Sequence, residues 1–202
     1  MNFLEERIVK DGALKEGNIL KVNGFLNHLI DVDITRHMAL EFQNRYRGEY
    51  ITKVLTIEAS GIALACMTAT QLNVPMLFAK KSASLNVDGD IYSAKCYSFT
   101  HQKDNHIFVS KRYLEPGDKV LIIDDFLANG QALLALTDIV RQAGAEVVGC
   151  GIAIEKGYQG GGDLVREKGY RVESIAIIDE MDADRHIIRF KGDDNIYTIN
   201  NI

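Results

Sequence analysis

Residues 120–133 read VLIIDDFLANGQAL. Two neighbouring acids, Asp124 and Asp125, follow an apolar run, and a small polar turn, Ala128-Asn129-Gly130-Gln131-Ala132, opens a second one. Adjacent carboxylates repel, so the pair calls for a partner. A turn of small residues running into a helix presents unsatisfied N–H groups and the positive end of the helix dipole, a site suited to phosphate. It is not a Walker loop, because GxxxxGK[ST] is absent. Carboxylates repel phosphate but accept hydrogen bonds from neutral hydroxyls. Acids a few residues ahead of a phosphate turn therefore suit a sugar phosphate, with the acids on the 2′- and 3′-hydroxyls. An ordinary strand-to-helix loop and a metal-binding acid pair are the competing readings; the second lacks further ligands at suitable spacing.

Three more polar groups fall at the ends of apolar runs. Glu58-Ala59-Ser60-Gly61 leads into a helical pattern, so its N–H groups suit an anion, and Ser60 can equally serve as a plain N-cap. Lys80-Lys81 closes the next run, either facing an anion or solvated. Glu155-Lys156 ends the run IAIEK; the Lys156 ammonium only donates hydrogen bonds, so it can satisfy a keto oxygen and would oppose an amino group, or it stands solvated at a strand end. The loop 157–163, GYQGGGD, looks like another phosphate loop, but Asp163 would repel phosphate and reads better as a helix N-cap.

The elements that must position these groups alternate. Residues 53–57 form a strand, 60–72 a helix with Ile62, Cys66, Ala69 and Leu72 at helical spacing, and 75–79 a second strand. Strand 119–123, helix 131–143, strand 146–154, a short helix 163–168 and strand 172–178 continue the pattern. Such alternation predicts an α/β fold with a mainly parallel sheet covered on both faces, in which ligands sit at the carboxyl ends of the strands. Between the two halves, residues 91–99 and 106–112 read as a hairpin turning at 101–105, approached by the small polar stretch 81–90. Upstream, Phe3, Leu4 and Ile8 share one helical face, and Ile34, Met38, Phe42 and Tyr46 another. Residues 1–50 and 185–202 lie outside the alternation and are expected to form a cap over a core of about 51–184, all within one domain.

Composition narrows the function classes. With 202 residues and a net charge of −5, nothing in the composition favours a broad nucleic-acid surface, which would normally be basic. No apolar run approaches the roughly 18 residues that cross a bilayer, and the acidic start MNFLEERIVKDG is no signal peptide. Three scattered cysteines, with Cys66 and Cys150 expected in the core, fit a reduced, cytoplasmic chain and offer no metal site.

The apolar run, acid pair, two spacers and phosphate turn resemble the phosphoribosyl-pyrophosphate (PRPP) motif of type I phosphoribosyltransferases. That family often carries Thr at the position of Asn129 and Ser or Thr at that of Ala132; without those hydroxyls, backbone N–H groups carry more of the phosphate binding. ANGQA, the downstream IAIEK and LKVNGFLNHLIDV at 20–32 resemble the bacterial, xanthine-using branch, and the similarity spans essentially the whole chain. The resemblance implies the type I fold with an N-terminal hood and a flexible flap over 82–105, whose closure excludes water. It implies transfer of the 5-phosphoribosyl group from PRPP to xanthine, giving xanthosine 5′-monophosphate and pyrophosphate in purine salvage. By the same resemblance Asp124 and Asp125 are catalytic; Ala128 to Ala132, Lys81, Ala59 and Ser60 bind PRPP; Leu20, Asn27 and Lys156 bind the base. Mg²⁺ is expected to arrive with PRPP, and a homodimer is expected. A hypoxanthine/guanine enzyme and a PRPP-sensing transcription regulator are the alternatives.

Overall fold

Five parallel strands form the spine of the chain. The computed structural model describes residues 1–81, 90–98 and 103–201. In chain order these are α1 (Phe3–Asp11), β1 (Ala13–Lys15), β2 (Ile19–Lys21), a π-helical turn (Asn23–Asn27), α2 (Val32–Arg45), β3 (Lys53–Ile57), α3 (Gly61–Leu72), β4 (Met76–Ala79), β5 (Ile91–Ser98), β6 (Lys103–Ser110), β7 (Lys119–Leu127), α4 (Gln131–Gln142), β8 (Glu146–Lys156), α5 (Gly161–Glu167), β9 (Val172–Asp182), β10 (Ile187–Phe190), β11 (Tyr197–Thr198) and β12 (Asn200–Asn201). The main sheet runs β11-β10-β9-β8-β7-β3-β4. Strands β4, β3, β7, β8 and β9 are parallel, and β10 and β11 are antiparallel additions. The expected alternation thus yields the expected α/β sheet.

Helices cover both faces, and each face has its own core. On one, α2 and α3 pack with the N-terminal elements around Leu64, Leu121, Ile123 and Phe190. Ile34, Met38, Phe42 and Tyr46 are all buried, as their spacing requires. Asp31 caps α2, accepting from the Asp33 and Ile34 amides. At its other end the Tyr46 hydroxyl donates to the Cys150 carbonyl at 2.9 Å, fastening α2 to the centre of the sheet. On the opposite face α4 buries Leu133, Leu136, Ile139 and Val140 against Ile122, Cys150 and Ile152.

Several local expectations are corrected. Helix α3 is apolar nearly all round, so its sequence does not single out one stripe; the buried set is Gly61, Leu64, Ala65, Thr68 and Ala69, and Cys66 is exposed. Ser60 has helical dihedrals and makes no side-chain cap. Strand β7 runs through both acids to Leu127, and β8 through Lys156, because the parallel ladder continues past the last apolar residue. Asp163 lies inside α5 and pairs with Arg166 at 3.5 Å, while Gly160 is the N-cap.

Strands β5 and β6 form the expected hairpin, paired as far as Ser98 with Lys103, so the return strand begins before residue 106. A bridge between Lys80 and Phe108 ties it to the sheet edge. The approach at 82–89 and the tip at 99–102, both within the expected flap, lie outside the described residues. The tail divides: β10 and β11 extend the main sheet, whereas β12 joins β1 and β2 in a small separate sheet over the N-terminal part.

Candidate functional site

The carboxyl ends of β3, β7 and β8 bring the candidate groups together. Asp124 and Asp125 are each only 6 % exposed. The Asp125 amide donates to Asp124 Oδ1 at 3.0 Å. Burial, and then the neighbouring Asp125 charge, hold the Asp124 carboxyl well above the usual carboxylate range, with Lys81's charge acting weakly against them. The pair is therefore a buried, electrostatically unfavourable acceptor set.

Beyond it the chain turns sharply. Gly130 takes φ +80°, a left-handed conformation that is costly for a branched residue, and is the N-cap of α4. The Asn129 side chain accepts from the Gln131 amide at 3.1 Å, which shapes the turn from within. No acidic residue stands in the first turn of α4, so the partial positive charge of its N-terminus is unopposed there.

The turn after β3 faces the same acids. A Cβ on Gly61 would lie 2.8 Å from Asp124 Oδ1 and closer still to the Thr56 hydroxyl, so only glycine lets α3 start here. Ala59 and Ser60 sit at that start; the Glu58–Ala59 peptide is cis. Glu58 accepts from the Lys81 amide at 2.7 Å, joining the ends of β3 and β4 and setting Lys81 at the rim, where it is exposed.

At the end of β8, Lys156 is half-buried, and burial lowers its ammonium's pKa. Its Nζ lies 6.0 Å from the centre of the Phe126 ring. Leu20, on β2, is buried in the same core cluster against which Phe126 packs. Asn27 ends the π-helical turn and is exposed. Among the described residues no group of three His, Cys, Asp or Glu side chains could hold a metal.

Residues 25–186 match the phosphoribosyl transferase domain model. The chain belongs to the phosphoribosyltransferase family. A xanthine phosphoribosyltransferase of Lachnoclostridium phytofermentans is 51 % identical over 193 residues, covering 96 % of this chain and all of that one. One from Bifidobacterium adolescentis is 54 % identical over 193 residues, covering 95 % and 100 %. Among solved structures, adenine phosphoribosyltransferase from Trypanosoma brucei, in complex with AMP, pyrophosphate and ribose-5-phosphate, superposes with TM-score 0.72 at 19 % identity, over 87 % of this chain and 80 % of that one. That likeness is one of phosphoribosyltransferase fold.

Sequence reasoning missed several contributors. Phe126 stands two residues past Asp124, yet an aromatic in an apolar run carries no signal of its own. Thr56, whose hydroxyl is buried without a hydrogen-bond partner among the described residues, is equally silent in KVLTI. Glu155 stands with Lys156 at a strand end in the sequence, but no local pattern announces its bidentate pair with Arg166, eleven residues on.

Proposed function

We propose that this phosphoribosyltransferase transfers the 5-phosphoribosyl group of PRPP to xanthine, yielding xanthosine 5′-monophosphate and pyrophosphate. The observation that carries this reading is identity of about half, over nearly the full chain, with relatives named for xanthine.

The residues divide the work. The amides of the turn Ala128–Ala132 take the 5′-phosphate. Asp124 and Asp125 accept hydrogen bonds from the ribose hydroxyls, neutral donors that add to the Asp125 amide already held by Asp124. The amides at Ala59 and Ser60, with Lys81, hold the pyrophosphate. Mg²⁺, entering as part of the substrate, adds countercharge to the departing pyrophosphate. As the C1′–O bond breaks, positive charge develops on the ribose ring, and a xanthine ring nitrogen forms the new bond to C1′. The base proton is released and pyrophosphate leaves with the bonding electrons. The chain's contribution is positioning and preorganised charge, with no covalent nucleophile. Lys156 donates to a keto oxygen and offsets negative charge on the base, while Leu20 supplies an apolar wall and Asn27 a group that both donates and accepts. A cytoplasmic homodimer completes the proposal.

The test is turnover of xanthine, hypoxanthine, guanine and adenine at saturating PRPP and Mg²⁺. Xanthine should lead clearly; a preference for hypoxanthine or guanine would reassign the substrate, and no turnover of any base would reject the reading.

A further inference from the structure

The run Gly160-Gly161-Gly162 has no place in this scheme, and the structure puts it directly behind the phosphate turn. The Gly161 amide donates to the Ala128 carbonyl at 3.1 Å. A Cβ on Gly161 would lie 2.5 Å from the Gly130 nitrogen and closer still to the Ala128 oxygen. From the other side, a Cβ on Gly130 would sit 3.0 Å from the Gly161 carbonyl oxygen and 3.2 Å from Val165. Helix α5 thus abuts the turn backbone to backbone. With seven residues and Asp163 in its first turn, it is not itself an anion site.

What holds α5 there is Glu155. Its carboxylate accepts from both terminal nitrogens of Arg166, at 3.0 and 2.9 Å, and from the Ser174 hydroxyl on β9. Gly162 leaves the space that this carboxylate occupies. Glu155 also pairs in register with Leu127, the residue before the turn, and immediately precedes Lys156.

We propose that Gly161 and the Glu155–Arg166 pair form a support that aims the phosphate turn, making Gly161 and Arg166 positioning residues for the 5′-phosphate. The inference rests on the reading of 128–132 as the phosphate turn. Its physical basis is the planarity of the peptide. In a trans peptide the carbonyl and the next N–H point in opposite directions. With the Ala128 carbonyl tied to α5, the Asn129 N–H points away from α5, outward. Without that tie, the peptide plane can rotate and the N–H loses its aim. Such errors matter because a preorganised donor acts without reorganising when its ligand arrives.

Ribose 5-phosphate and Mg²⁺-pyrophosphate are titrated separately, by calorimetry, into the wild type, Gly161→Ala and the double variant Glu155→Gln/Arg166→Met. The double variant removes the ion pair without stranding a buried charge, so it carries the test even if Gly161→Ala does not fold. Ribose 5-phosphate affinity should fall at least about tenfold in Gly161→Ala, the scale of one misplaced hydrogen bond to a charged group, and by roughly threefold or more in the double variant. Pyrophosphate affinity should stay within about twofold, since its proposed amides lie after β3; a purely structural role for the pair would weaken both ligands alike. Unchanged ribose 5-phosphate affinity in the folded variants, or equal loss for both ligands, overturns the support. A wild type that does not bind ribose 5-phosphate at all rejects the phosphate-turn reading itself.

Discussion

Two groups of buried carboxylates lie on neighbouring strands and meet opposite fates. Glu155 on β8, 3 % exposed, is gripped by the Arg166 fork and by Ser174. Burial pushes its carboxyl up, but those hydrogen bonds and the Arg166 charge outweigh burial, leaving it below the ordinary value. Asp124 and Asp125 on β7 are nearly as buried, have each other as neighbours, and burial with like charge drives Asp124 upward. A buried charge without a hydrogen-bonded partner is costly. The difference separates a carboxylate whose acceptor capacity is consumed by the fold from a pair whose capacity the fold leaves largely unused.

The comparison can be broken in several places. The largest effect belongs to the paired acid. Arg166→Ala strands Glu155 in the interior, and breaking a buried pair costs about 3–5 kcal/mol. Because Arg166 is 32 % exposed, the lower end applies. Calorimetry should show a Tm lower by roughly 6–12 °C; a change under about 2 °C would mean that the pair anchors nothing.

The unpaired acids should behave the other way round. Asp125→Asn or Asp124→Asn should leave Tm unchanged or raised, since like-charge repulsion is relieved. Each should lower kcat/KM for PRPP about tenfold to hundredfold, for the loss of about 1.5–3 kcal/mol of charged hydrogen bonding. Variants that lose stability but keep PRPP kinetics would reverse the assignment.

Lys156 sharpens the contrast from the cationic side, being adjacent to Glu155 in sequence yet free of its ion pair. Lys156→Ala should lower the ratio of kcat/KM for xanthine to that for hypoxanthine by roughly tenfold, because xanthine presents a second keto oxygen and ionises more readily. PRPP binding should hardly move. A constant ratio would transfer base selection to Leu20 and Asn27.

The smallest effect lies in pH. The Asp124 carboxyl is raised on folding, so its contribution to stability is full below 3.8 and fades as pH rises through the elevated value. Glu155 is lowered, so its contribution is full above 4.5 and fades as pH falls through the depressed value. Relative to wild type, Asp124→Asn should therefore gain stability as pH rises above 3.8, at most about 1.4 kcal/mol per pH unit. Glu155→Gln should lose less stability as pH falls below 4.5. Denaturant melts across pH 3–8 that gave parallel curves for the two variants would abolish the distinction.

Much of this arrangement is legible in the chain because it is written locally. KVLTI is a strand over the predicted residues, the four-residue spacing of Ile34 to Tyr46 marks the face that α2 buries, and the acids and turn of 124–132 are contiguous. What escapes is not local. Helix α3 is too uniformly apolar for its sequence to choose a face, so helical spacing alone puts Cys66 inside although it is exposed. Strand ends follow backbone pairing, which carries no side-chain signature, so β7 and β8 run past their apolar stretches. The Glu155–Arg166–Ser174 cluster spans three elements, and the glycine run reads as a loose loop until the turn it supports is in view.

The small sheet of β12, β1 and β2 has a consequence for how the molecule is made. Strand β1 pairs with β2 next door and with Asn200 and Asn201, nearly the whole sequence away. Domains emerge from the ribosome N-terminus first, and long-range closure is paid for before its contacts form. The sheet that carries Leu20 therefore closes only when segments far apart in sequence meet, whereas Asp124, Asp125, the turn 128–132 and α5 lie close together along the chain and can meet without that closure. A folding chain would therefore complete the turn and its contact with α5 before the sheet of β12, β1 and β2 closes.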